Sequence, residues 1–237
     1  APGSLLPYAA GMKEVLDIPV IATGRLNDMR IAEQALERNE CDYVHMLRAF
    51  HADPETLTKT QKGELEDINM CMACNKCIDL MFGDQRVRCT VNPCAGRERE
   101  MALKPAAHKK SVLVVGGGLA GMEVARIAAQ RGHKVSLYEK EDELGGAVRW
   151  ASKGQYREEW WQAARYRIHS VNASGVDVHL GEEMTLADIK AAKPDVTILA
   201  TGTKPFMPPY VPGIDKPLVS DYATVLLGET KVGSNAL

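Results

Sequence analysis

The chain has 237 residues, 45% of them hydrophobic and 25% charged, with 29 basic against 31 acidic side chains and a formal net charge of −2. No apolar run approaches the roughly 20 residues that span a bilayer, so no membrane partner is expected. Nor do lysine and arginine gather into the stripe that holds nucleic acid. The composition is that of an ordinary soluble globular protein with one or two sizeable cores.

The chain opens on Ala1-Pro2-Gly3-Ser4, without a methionine, and soon enters a helix-like stretch from Tyr8 to Leu16. A strand follows, Ile18-Pro19-Val20-Ile21-Ala22-Thr23-Gly24. After Arg25 come an amphipathic helix from about Asp28 to Arg38 and a strand from Asp42 to about Leu47 that ends in Arg48. This alternation predicts parallel strands joined by helical crossovers. Two such strands close neither a sheet nor a barrel. Residues 1–56 are therefore expected to dock on strands supplied by a longer parent chain or by a partner chain. Cys41, at the head of an apolar run, reads as a small buried residue.

Residues 57–105 lose clear periodicity and carry Cys71, Cys74, Cys77 and Cys89 in the pattern C-x2-C-x2-C-x11-C, with turn signals at Gly83-Asp84 and Asn92-Pro93. Three thiolates within seven residues can wrap one corner of an iron–sulfur cube while a distant fourth closes it. Zinc usually takes two close pairs, and the second half of this segment offers only Cys89 and Cys94. Disulfides are disfavoured because nothing at the N-terminus reads as a secretory signal, and reduced thiols fit a cytoplasmic setting. Spacing alone does not choose between Cys89 and Cys94 as the fourth ligand. Met70, Met72 and Met81 read as gap fillers, with shielding of the cluster as the second reading. Lys104–Lys110 reads as a short linker.

A second alternating unit begins at Ser111: the strand Val112–Val115, the loop Gly116-Gly117-Gly118-Leu119-Ala120-Gly121, a helix from Leu119 to Arg131, and the strand Lys134–Tyr138 ending at Glu139. Gly116 permits the tight turn, Gly118 lets the backbone approach a pyrophosphate, and Gly121 allows close helix–strand packing, with the helix N-terminus facing the phosphates. Glu139 lies where an acid accepts ribose hydroxyls. Strand, loop, helix and acid in this order make the nucleotide signal specific. The acid favours FAD, NAD or ADP over NADP. Leu144-Gly145-Gly146-Ala147 adds backbone near the same ligand. Val176–Leu180 and Val196–Ala200 supply two more strands, the second running into Ala200-Thr201-Gly202. Trp160-Trp161 reads as core or interface, and His133 as a surface turn residue.

With these residues on the page, the chain resembles the iron–sulfur flavoenzymes of the 2,4-dienoyl-CoA reductase and trimethylamine dehydrogenase family, whose barrel is of the Old Yellow Enzyme type. The resemblance covers essentially the whole chain. It implies the last strands of a (β/α)8 flavin barrel over residues 1–56, a [4Fe-4S] segment and linker over 57–105, a Rossmann-like FAD- or ADP-binding domain over 106–205, and a connection over 206–237 towards an NAD(P)H-binding domain. By the match to Thr23-Gly24-Arg25, Leu47-Arg48 and Ala52-Asp53-Pro54-Glu55, the residues Gly24, Arg25, Leu47 and Arg48 would hold FMN phosphate, where arginine makes charge-assisted contacts. The phrase Val91-Asn92-Pro93 follows the family's fourth cysteine, so the resemblance selects Cys89. It further implies that Ala120 and Glu139 touch the adenosine side of FAD or ADP, with Gly146, Arg149, Ala200 and Gly202 nearby. The family often carries Gln where this chain has Ala147.

Two branches of the family imply different electron flow. In the reductase branch, NAD(P)H reduces FAD, single electrons pass through the cluster to FMN, and FMN delivers hydride to an activated alkene. In the amine dehydrogenase branch, substrate reduces FMN, the cluster exports electrons to an electron-transfer flavoprotein, and ADP fills the second site. The reductase reading is favoured by Leu144-Gly145-Gly146 and Ala200-Thr201-Gly202. A non-redox, zinc-bound nucleotide module is the remaining alternative. The small-molecule substrate and the catalytic acid–base groups are not legible, and homo-oligomers are compatible with the resemblance. A second glycine-rich motif, for NAD(P)H, is expected shortly after Val232-Gly233. The isolated polypeptide is accordingly expected to show no steady NAD(P)H-dependent turnover in an anaerobic absorbance assay; sustained turnover would refute this.

Overall fold

The computed structural model describes residues 1–233, so the last four positions of the expected connection 206–237 and the expected NAD(P)H motif lie outside the described residues. The chain divides into two compact units, Ala1–Leu103 and Lys104–Leu237.

The first unit contains α1 (Leu6–Lys13), β1 (Ile21–Ala22), α2 (Met29–Glu37), β2 (Tyr43–Val44), α3 (Leu47–Ala52), α4 (Thr56–Lys62), a 3-10 turn (Leu65–Asp67) and α5 (Lys76–Phe82). β1 and β2 pair in parallel, with Ile21 opposite Tyr43 and Ala22 opposite Val44. The strands are shorter than the sequence predicts, because ladder bonds run only from Val20 to Ala22: the Val20 carbonyl accepts from Asp42 and Tyr43, and the Ala22 carbonyl accepts from His45. Leu47 and Arg48 consequently open a helix instead of ending a strand. The first helix also begins and ends earlier than expected. α2 starts where Asp28 caps it by accepting the Arg30 N–H.

One face of the small sheet is buried against a core that includes Val20, Ala22, Leu26, Ala32, Ala35, Cys41 and Met46. The other face leaves Ile21 63% and Tyr43 62% exposed, whereas parallel sheets are ordinarily covered on both faces. Cys41 is buried, as its small apolar character implies.

The cysteine-bearing segment is more structured than its weak periodicity suggests. It contains α4 and α5 and buries Ile68, Met72, Leu80, Val91 and Ala95, while Met81 is exposed. Its anchor is the buried Asp53, whose carboxylate accepts from the Lys59 ammonium at 2.7 Å and from the backbone N–H groups of Glu55 and Asn69. The Asn69 amide in turn donates to the Val91 carbonyl at 2.8 Å. These bonds tie down the chain two residues before Cys71 and two after Cys89.

The second unit is built on four parallel strands in the order β5-β4-β3-β6: β3 (Ser111–Val115), β4 (Lys134–Glu139), β5 (Asp177–Leu180) and β6 (Val196–Leu199), so that β5 and β6 form the two edges. After Ser111, β3 is apolar because it is central, and Val112, Leu113 and Val114 are all buried. β4 alternates, burying Val135, Leu137 and Glu139. Around the sheet lie α6 (Leu119–Gln130), α7 (Val148–Ala151), α8 (Trp161–Ala173, entered through a 3-10 turn, Glu158–Trp160), α9 (Leu186–Ala192) and α10 (Tyr222–Leu227). α6 turns Met122 and Ala125 into the core beside Val114, Leu137 and Val171. No helix among the described residues is long and apolar enough to cross a membrane.

α6 and α8 are joined by a buried ion pair. Arg167, 3% exposed, places Nε 3.1 Å from Glu123 Oε2 and donates from Nη1 to the Ala163 carbonyl. Burial pulls the Arg167 pKa down and the Glu123 carboxylate opposes that pull. Removing one partner leaves an uncompensated buried charge, so Glu123→Ala should cost about 3–5 kcal/mol. Urea unfolding followed by tryptophan fluorescence checks this, because Trp150, Trp160 and Trp161 all belong to the second unit.

Candidate functional site

In the second unit, β4 and β5 extend to one side of β3 and β6 lies on the other. The strand order thus reverses at the carboxyl ends of β3 and β6, where sheets of this kind bind ligands. Gly116 leaves β3 with φ +109°, and a Cβ there would collide with the Ala200 carbonyl beyond β6. A Cβ on Gly117 would lie 2.5 Å from Leu144 and 3.0 Å from Glu139 Cβ. A Cβ on Gly121 would run into the Gly116 carbonyl. Gly118 differs: the nearest atom to its added Cβ is Gly146 Cα at 3.9 Å. Its glycine therefore keeps a cleft clear, whereas the other three satisfy internal packing.

The loop carrying Gly145 and Gly146 is fastened to this turn. Gly145 N–H donates to the Gly117 carbonyl at 2.9 Å, and a Cβ on Gly146, at φ +53°, would lie 2.9 Å from Gly118 Cα. Gly118 also caps α6 without a side-chain hydrogen bond, leaving first-turn N–H groups available to an anion.

Glu139 ends β4 and is 8% exposed. Its Oε2 accepts from Gly117 N–H at 2.6 Å and its Oε1 from Glu141 N–H at 3.0 Å. The carboxylate braces the glycine turn, and each oxygen keeps a lone pair for a further donor. Ala120 is exposed on the first turn of α6. Arg149, on α7, pairs with Glu143 at 3.3 Å. Ala200 is held by its N–H on the Val115 carbonyl at 2.8 Å, and Gly202, at φ +70°, has open space around it. The structure thus gathers Gly116, Gly118, Gly121, Glu139, Gly146 and Ala200 about one turn. Gly117 belongs with them; the unbroken Gly116-Gly117-Gly118 run was its sequence signal.

In the first unit, Cys71, Cys74, Cys77 and Cys89 line one small pocket, together with Arg48, His51 and Asn75. Cys94 is directed elsewhere, with Sγ 3.9 Å from the Met101 carbonyl. All six cysteines are free thiols. Ala73 and Asn75 hold left-handed backbone, φ +54° and +59°, between the close cysteines; such conformations in non-glycine residues cost free energy and concentrate where function requires them. Burial pushes the Cys71 and Cys89 thiols up, opposed by backbone N–H donors, from Ala73 onto Cys71 and from Val91 and Asn92 onto Cys89. Among the described residues no three His, Cys, Asp or Glu side chains converge on a single metal position.

Gly24 (φ +100°) and Arg25 (φ +53°) follow β1, and the Arg25 carbonyl accepts from Gly3 N–H. Leu47 is 57% exposed at the start of α3. Arg48 donates from Nη1 to Asn75 Oδ1 at 2.7 Å and lines the cysteine cavity. Asn75 was not singled out in the sequence, since only the folded chain brings it to Arg48.

Residues 114–175 match the NAD(P)-binding Rossmann-like domain family. A metal reductase of Desulforamulus reducens is 35% identical over 241 residues, covering 100% of this chain and 36% of the relative. An N,N-dimethylglycine/sarcosine dehydrogenase of Chromohalobacter salexigens is 35% identical over 255 residues, covering 100% and 35%. A solved structure of 2-naphthoyl-CoA reductase with 2-naphthoyl-CoA superposes with a TM-score of 0.92 at 38% identity, over 98% of this chain and 36% of that one. The chain belongs to the 2,4-dienoyl-CoA reductase and trimethylamine dehydrogenase family. It spans about a third of the length of these family members. A reductase and an amine dehydrogenase both align over the full chain at the same identity, so family membership alone does not select the substrate.

The two glycines that differ in their surroundings give a direct test of the cleft. Gly118→Ala should leave the thermal midpoint nearly unchanged while weakening ADP or FAD binding at least tenfold by titration calorimetry. Gly121→Ala should instead lower the midpoint sharply, because the backbone must shift to admit its methyl group.

Proposed function

We propose that this chain is the cluster- and nucleotide-bearing part of an NAD(P)H-dependent flavin oxidoreductase. With its groups bound, electrons from NAD(P)H would pass through FAD and a [4Fe-4S] cluster to FMN and reduce an activated C=C bond of enoate or enoyl-CoA type. The observation that carries this reading is the four thiols lining one pocket, in a chain whose residues 114–175 match an NAD(P)-binding Rossmann-like domain.

Cys71, Cys74, Cys77 and Cys89 would each ligate one iron of a cube. The compact trio with one distant cysteine suits a cube better than the two close pairs that zinc usually takes. Burial raises the Cys71 and Cys89 thiols and backbone N–H donors partly oppose it; a bound cluster would itself stabilise the thiolates it requires. In the second unit, the Gly118 cleft and the start of α6 would receive the pyrophosphate of FAD or ADP, while Glu139, already fixed by two backbone bonds, would accept from a ribose hydroxyl. Gly24, Arg25, Leu47 and Arg48 would hold the FMN phosphate, as the family resemblance implies. The exposed face bearing Ile21 and Tyr43 would pack within the remainder of a flavin barrel. The setting is cytoplasmic, where thiols stay reduced.

A second reading, an amine dehydrogenase with ADP in the nucleotide cleft and a flavoprotein as electron acceptor, is supported by the dimethylglycine/sarcosine dehydrogenase relative. Native mass measurement of the anaerobically purified holoprotein separates the readings. A [4Fe-4S] mass with FAD supports the reductase, the same cluster with ADP supports the amine dehydrogenase, and zinc without sulfide overturns both. In parallel, Cys89→Ser should abolish the broad visible absorbance of the cluster and Cys94→Ser should leave it; the reverse pattern would overturn the ligand assignment.

A further inference from the structure

α3 presents Arg48 and His51, three residues apart and so on one helix face, to the cavity lined by the four cysteines. Arg48 is fixed there by its 2.7 Å bond to Asn75, which lies between Cys74 and Cys77. Asn75 combines two properties needed at that position: it tolerates left-handed backbone, φ +59°, and its side-chain oxygen accepts from the guanidinium. His51 lines the same pocket, and its Nδ1 is buried with no hydrogen-bond partner among the described residues.

We propose that Arg48, tethered by Asn75, raises the reduction potential of the cluster held by Cys71, Cys74, Cys77 and Cys89, with His51 adding a second donor from the same helix face. The inference rests on the cluster reading above. One-electron reduction adds a negative charge to a group made anionic by its four thiolates. A fixed guanidinium beside it stabilises the reduced form more than the oxidised one, and net charge and hydrogen bonds to sulfur are among the levers that set such potentials. Because one N–H of Arg48 is committed to Asn75, a flavin phosphate would have only the remaining donors, and a change in flavin content can be scored separately from a change in potential.

The test is an anaerobic redox titration of the holoprotein with dithionite as electron donor, followed by the electron paramagnetic resonance of the reduced cluster, with iron, sulfide and FMN measured on each sample. At the poise that half-reduces the wild-type cluster, Arg48→Gln should lower the reduced-to-oxidised ratio about tenfold, which is about 59 mV for one electron. Arg48→Lys should retain most of the wild-type ratio. Asn75→Gly keeps the backbone conformation and the arginine but frees the guanidinium, and should fall between the two. An unchanged ratio in Arg48→Gln with iron and sulfide intact overturns the proposal, including where FMN alone is lost. If Arg48→Gln fails to hold its cluster, an unchanged ratio in Asn75→Gly overturns it instead. Absence of sulfide from the wild-type protein would refute the cluster reading and this inference together.

Discussion

Backbone pressed against backbone is the constraint around which the second unit is arranged. Residues 116–118 meet the Ala200 carbonyl, the Leu144 and Glu139 side chains, and the Gly145-Gly146 backbone on successive sides. Such approaches exclude side chains, so several glycines are dictated by packing before any ligand is considered. Glu139 joins the same contact from beneath, since its carboxylate holds Gly117. The open side of Gly118 is what remains once those demands are met. A nucleotide cleft thus arises as the uncovered face of a tightly determined turn.

The first unit reaches an equivalent end by polar means. Its cysteine segment lacks a regular apolar pattern, and the buried Asp53 adds polar bonds to what packing supplies. By accepting from Lys59, Glu55 and Asn69, and through Asn69 reaching Val91, it holds both flanks of the thiol ring. A buried carboxylate is tolerable in this setting because its hydrogen bonds and its cation are all in place.

Sequence legibility followed the range of the forces involved. α6 and β4 were readable nearly to their ends, because a glycine turn, a 3.6-residue pattern and an alternating strand are local signals. β1 and β2 were overextended, since an apolar run such as Ile18–Ala22 states a preference for strand but not how far a ladder bond will reach. α4 and α5 went unread because they are short and only weakly amphipathic. The bond from Arg48 to Asn75 spans 27 positions, and nothing near either residue announces it. The family resemblance chose Cys89 over Cys94, a choice that spacing could not make; Cys89 lines the pocket of the compact trio, and Cys94 Sγ lies by the Met101 carbonyl.

β6 has a consequence for handling the protein. Among the described residues it pairs with β3 alone, and Leu199 on it is 70% exposed. An edge strand with free backbone donors and an apolar side chain is a template for another strand. The second unit expressed by itself would therefore self-associate along this edge as its concentration rises, and binding isotherms measured on it would depend on protein concentration unless the edge were first blocked by a charged residue.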